Sequence, residues 1–257
     1  FSGTITDSLA NLADSGSIST NFSRARGDDG DVNVVVSDAT GTLSAADLGA
    51  VTSKTSGTVT LDNAQTISGS GAELIAALKT NAATLSAAST ATVTSAVTAA
   101  VAAEIAAIAS ITLDSSGSGT ITDSLANLLN DGQTAISTDF SNARAEDTDV
   151  NVVINDGTGT IDAAKLSLIT AKTGGTVTLQ SAQTVSGTGT EVTAALITDA
   201  VTLGAASNAT VTGNVTAEVA GNIANVTGIT AAFSGTITDS LANLADSGSI
   251  STNFSRA

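Results

Sequence analysis

Hydroxyl–aliphatic–hydroxyl triplets recur along the whole chain. The first five are Thr4-Ile5-Thr6, Thr42-Leu43-Ser44, Thr66-Ile67-Ser68, Thr92-Val93-Thr94 and Thr120-Ile121-Thr122. Thr160-Ile161-Asp162, Thr184-Val185-Ser186, Thr210-Val211-Thr212 and Thr236-Ile237-Thr238 follow. One aliphatic between two polar positions is period-two alternation, which predicts half-buried strands. Before several triplets stands a second β-type run, such as Val34-Val35-Val36, Val59-Thr60-Leu61, Ala83-Thr84-Leu85 or Ile111-Thr112-Leu113. Ser, Gly, Asn and Asp between run and triplet predict a turn.

After each triplet the period becomes helical: Leu9 and Leu12, Leu48 and Val51, Leu74 and Leu78, then Val97, Val101, Ile105 and Ile108. These i, i+3 and i+4 spacings on Ala-rich stretches predict short helices. Ser70 with Glu73 and Thr188 with Glu191 fit capping boxes, and Asp7 before Leu9 reads as an N-cap. A strand–turn–strand–helix coil this short buries its apolar side only by stacking on neighbours. The pattern therefore predicts a repeat solenoid of parallel β-strands with short helices on one flank, a β-rich α/β solenoid. The alternative is two small α/β domains per period.

Triplet centres step by 38, 24, 26, 28, 40, 24, 26 and 26 residues, so two coils carry long excursions. Larger repeats enclose these coils. Residues 233–257 copy residues 1–25 letter for letter, a period of 232 residues. GTITDSLANL stands at 3–12 and again at 119–128, which divides the period into related halves. The expected organisation is 1–116, 117–232 and the start of a further copy at 233–257, a window onto a longer array. At ~4.8 Å per coil, eight coils advance roughly 40 Å.

Composition narrows the chemistry. The chain has no Pro, Cys, His, Met, Trp or Tyr among 257 residues, and only five Phe. Thiol nucleophiles, imidazole bases and the usual zinc ligands are absent, so an enzyme is not expected. Eight Lys and Arg against 24 Asp and Glu leave a net charge of −16, which excludes nucleic acid as an expected partner. No apolar run approaches the ~20 residues of a membrane span. Absence of Pro suits a long strand ladder, since Pro removes a ladder hydrogen bond.

GTVTLQSAQTVSGTGTEVTAAL (175–196) and its counterpart in the first half give the chain a likeness to known proteins. It resembles the giant tandem-repeat secreted surface and matrix proteins of cyanobacteria and proteobacteria. That resemblance implies type I export, an adhesin-like character and an extracellular or cell-surface location. Members carry calcium-binding glycine/aspartate repeats, but the G-G-x-G-x-D signature is absent here. The expected function is a structural repeat of a giant extracellular fibre or cell-surface coat, with the chain itself as partner in end-to-end or lateral assembly. The alternative is a calcium-dependent adhesin or binding module.

Candidate site residues lie in the two excursions, SISTNFSRARGDDGDVN (17–33) and AISTDFSNARAEDTDVN (135–151). Asp28, Asp29 and Asp31, with Glu146, Asp147 and Asp149, gather carboxylates of the kind that ligate Ca²⁺. The spacing departs from an EF-hand loop, with Val34 at the sixth position and Thr40 at the twelfth. Phe22 with Arg26, and Phe140 with Arg144, pair an aromatic with a cation, a combination common at interfaces. They read as lateral contacts, or else as rings folded back onto the core.

Overall fold

A computed structural model of the chain describes residues 3–81, 83–85, 89–114, 119–199, 201–203, 207–246 and 249–257. The fold is mixed α/β, built from open, mostly parallel sheets and short helices, with no closed barrel among the described residues. Contacts group it into two compact units: residues 1–121 with 139–150, and residues 122–138 with 151–257. The second excursion beyond residue 138 thus belongs to the first unit, which sequence periodicity does not indicate.

In the first unit, strands Thr4–Asp7, Asn33–Val36 and Val59–Leu61 run parallel, with Ile5 beside Val34 and Val34 beside Val59. Thr84 extends this ladder through a bridge to Thr60. A second parallel sheet holds Thr42–Ser44, Thr66–Gly69, Ser89–Val93 and Ile111–Asp114. Its register stacks Leu43, Ile67, Ala91 and Leu113 in one buried column. Thr42, Thr66, Thr90 and Thr112 form the neighbouring column, in which the Thr66 and Thr90 hydroxyls hydrogen-bond at 3.0 Å. Each fully buried Ile or Leu contributes about 1.5–3 kcal/mol, and Ala91 less. Helices Ala45–Thr52, Gly71–Ile75 and Ala99–Ala106 pack successively on one another.

The second unit repeats the plan. Gly159–Asp162, Gln183–Thr188, Ser207–Thr212 and Ile229–Phe233 form a parallel sheet, and Asn151–Ile154 pairs with Val177–Leu179. Ala163–Thr170, Gly189–Thr193 and Ala217–Ala224 form its helix row. No helix among the described residues is long and apolar enough to cross a membrane.

Three features are decided by the structure. The triplets do not form one column: Ile67 stands beside Ala91, two residues before Val93. Period-two geometry puts Ala91 and Val93 on the same face, so the slip keeps the hydrophobic side inward. Ile111–Asp114 joins the sheet of Ser89–Val93 rather than that of Asn33–Val36. The first excursion is not a loop throughout, because Thr20–Asp28 is a helix whose N-cap Ser19 accepts from Phe22 N. Thr138–Glu146 is its counterpart.

The capping boxes are present at Ser70/Glu73 and Thr188/Glu191. Both helices then continue as π turns, Ala76–Thr80 and Ala194–Thr198. Coils approach closely where side chains are missing: a Cβ on Gly57 would strike the carbonyls of Asp31 and Val32. Beside it, Thr55 Oγ1 donates to Val32 O.

Candidate functional site

The acidic groups do not converge into a cage. Asp28 ends its helix and is exposed, as is Asp31. Asp29 and Asp31 do approach each other. The Asp29 carboxyl is held above its ordinary value, chiefly by a side-chain hydrogen bond with Asp31, with desolvation and the Asp31 charge adding in the same direction. In the other half Glu146 and Asp149 are exposed, whereas Asp147 is buried and its Oδ1 accepts from Asp149 N at 3.3 Å. That bond ties Asp147 to the backbone of its own turn. Among the described residues no three His, Cys, Asp or Glu stand close enough to hold a metal ion.

Phe22 and Phe140 are core residues. Phe22 is 3 % exposed and Phe140 is fully buried. Each helix carries its ring inward, the second of the two uses the excursions allowed. Arg26 Nη1 donates to Lys54 O at 3.3 Å, so it fastens the helix to a neighbouring coil rather than neutralising the acidic group. Arg144 occupies the last turn of its helix.

Other carboxylates carry a repeated structural task. Asp7 Oδ1 accepts from Ser8 N and Asn11 Nδ2, at 2.8 and 2.7 Å. Asp38 Oδ2 accepts from Leu9 N at 2.7 Å. Asp123 and Asp156 repeat this set on Ser124, Asn127 and Leu125. The N-cap is therefore Ser8 or Ser124, not the preceding Asp. In the third copy Asp239 holds Ser240 N and Asn243 Nδ2, which keeps its carboxyl below the ordinary value, Asn243 contributing most.

Two buried residues escaped the sequence reading. Gln65 Nε2 donates to Asp38 O and Ala39 O, at 3.0 and 3.2 Å, while its Oε1 accepts from Gly41 N at 3.0 Å. Gln183 donates likewise to Asp156 O and Gly157 O. Each amide clamps the turn of the preceding coil. Their signal was the Ala-Gln-Thr recurrence at 64–66 and 182–184.

Residues 233–257, the second occurrence of the 1–25 sequence, also pack on the half that precedes them. Val215 bridges Ile237 in parallel, with Val215 N donating to Thr236 O at 3.2 Å and Thr238 N to Val215 O at 2.8 Å. Asn214 Oδ1 accepts from Thr236 N at 3.0 Å. Helix Ala217–Ala224 lies against helix Thr252–Arg256, and a Cβ on Gly221 would stand 2.7 Å from Asn253 O. A repeat-to-repeat junction is thus contained in one unit, held by main-chain bonds and a close helix contact. Val97 and Ile121 make the same bridge in the first unit. No family model, curated protein or solved structure matches the chain.

Proposed function

We propose that this chain is a structural repeat of a giant extracellular fibre or cell-surface coat, acting through length and self-association rather than catalysis. The observation that carries the reading is the Val215–Ile237 junction. The second half ends in a strand and a helix that receive the start of a new copy with the same bridge that Val97 offers to Ile121. A repeat that receives its own beginning can be added indefinitely. The architecture proposed is the parallel solenoid, with ladders cohering along the axis. Its acidic surface keeps neighbouring fibres hydrated.

Chains carrying one, two and four copies of the 232-residue period test this by electron microscopy and small-angle scattering. The expected result is a rod lengthening by a constant increment of roughly 40 Å per copy. Compact particles at variable separation would overturn the reading.

A further inference from the structure

Both halves carry the segment GTITDSLANL and the same carboxylate contact to its helix, Asp38 to Leu9 N and Asp156 to Leu125 N. These shared features do not distinguish a first-half coil from a second-half one. What differs is the hairpin that follows. Each hairpin is closed by the same bond, Ser19 N to Leu12 O and Ser137 N to Leu128 O, at 2.8 Å. Six residues lie between those ends in the first half (13–18) and eight in the second (129–136).

The short hairpin turns at Ser15 and Gly16, both at positive φ, and helix Ala45–Thr52 of the next coil packs on both its strands. Gly16 N donates to Asp47 Oδ1 at 2.6 Å. In the long hairpin Gln133 has the positive φ, and its Oε1 accepts from Lys165 Nζ at 2.5 Å. Asp47 and Lys165 are counterparts, each the third residue of its helix. The bond between hairpin and helix thus runs in opposite directions in the two halves. A helix dipole favours an acid in the first turn and disfavours a cation there. Asp47 follows that preference and Lys165 breaks it, so nothing in the second helix itself favours lysine.

We infer that these two contacts form a recognition key between coils: Asp47 selects the short Ser15-Gly16 hairpin, and Lys165 the long hairpin carrying Gln133. A first-half hairpin set on the second-half helix aims Gly16 N–H at the Lys165 ammonium, donor against donor. A second-half hairpin set on the first-half helix brings two extra residues to a close contact, and points Gln133 Oε1 at the Asp47 carboxylate until the amide turns over. The partner recognised is another segment of the same chain. Pairing with the wrong copy is a characteristic failure of repeat proteins, and the key opposes it by repulsion as well as by fit. Both contacts lie within one half, so the key stands apart from the fibre reading.

The test exchanges hairpins within the full chain. Replacing residues 13–18 by the 129–136 sequence should lower the urea midpoint of unfolding, and adding Asp47→Lys should restore about half of that loss or more. The reciprocal pair replaces residues 129–136 by the 13–18 sequence, without and with Lys165→Asp. Asp47→Lys alone also lowers the midpoint, partly because it puts a cation in the first turn. No hairpin relieves that part, so recovery in the combined variant decides, not loss in the single one.

Recovery in both halves is the expected result. Losses that simply add in either half overturn the key and leave the two contacts as ordinary hydrogen bonds. Where a single variant does not fold, the readout is whether the combined variant does: folding supports the key, and failure overturns it. Neither result touches the fibre reading, which rod length alone tests.

Discussion

Gln65→Leu tests whether buried amide clamps hold adjacent coils in register. Gln65 is 3 % exposed and makes three side-chain hydrogen bonds to one turn, two to carbonyls and one from Gly41 N. Leucine keeps the volume and removes all three. Each such bond contributes about 0.5–1.5 kcal/mol net. Gly41 and Ala39 lie on an exposed turn, so water recovers part of the loss. The expected destabilisation is about 2 kcal/mol, near the low end of the range for three bonds. With a urea slope of about 2 kcal/mol/M, the midpoint falls by about 1 M at unchanged slope. Amide exchange at Gly41 should quicken more than at Leu48, which lies in a helix away from the clamp. Gln183→Leu serves as an internal replicate, and exposed Gln180→Leu as the control, expected within about 0.5 kcal/mol of wild type. A midpoint for Gln65→Leu matching that of Gln180→Leu would refute the reasoning.

Two further outcomes separate burial and capping from sequence alone. Phe22→Ala should cost about 3–5 kcal/mol in urea unfolding; a loss below about 1 kcal/mol would refute the burial of its ring. The Glu73 carboxyl is held below its ordinary 4.5 by the backbone N–H of Ser70 first and its hydroxyl second, and Asp239 is lowered likewise from 3.8. Folded-state values below the unfolded ones mean stability that is fully present above about pH 4.5 and lost as pH falls through the lowered values. Melting temperature should therefore drop below pH 4.5, with a shallower drop for Glu73→Gln; an unchanged profile in that variant would remove the capping box as its cause.

Local pattern made much of this protein legible. Hydroxyl–aliphatic alternation marked the strands, Leu and Val spacing the helices, and Ser70/Glu73 and Thr188/Glu191 their starts, because each feature depends on residues within one or two turns. Identical residues 1–25 and 233–257 form the same helix and hairpin in different surroundings, so their secondary structure is local too. Helix Thr20–Asp28 was missed because its Ser19 cap precedes a polar stretch with one inward ring, too little apolar periodicity to register. Gln65 looked like an ordinary strand residue, since its partners lie 24 to 27 positions away.

Tertiary structure alone decided register and burial. Nothing local distinguishes Ala91 from Val93 as the partner of Ile67, because both lie on one face of the strand and the choice follows from how whole coils stack. Nor does local pattern say what covers Leu9, over which helix Ala45–Thr52 of the following coil packs. Strand and helix are properties of neighbours along the chain, whereas a buried face exists only where another coil has come to lie on it.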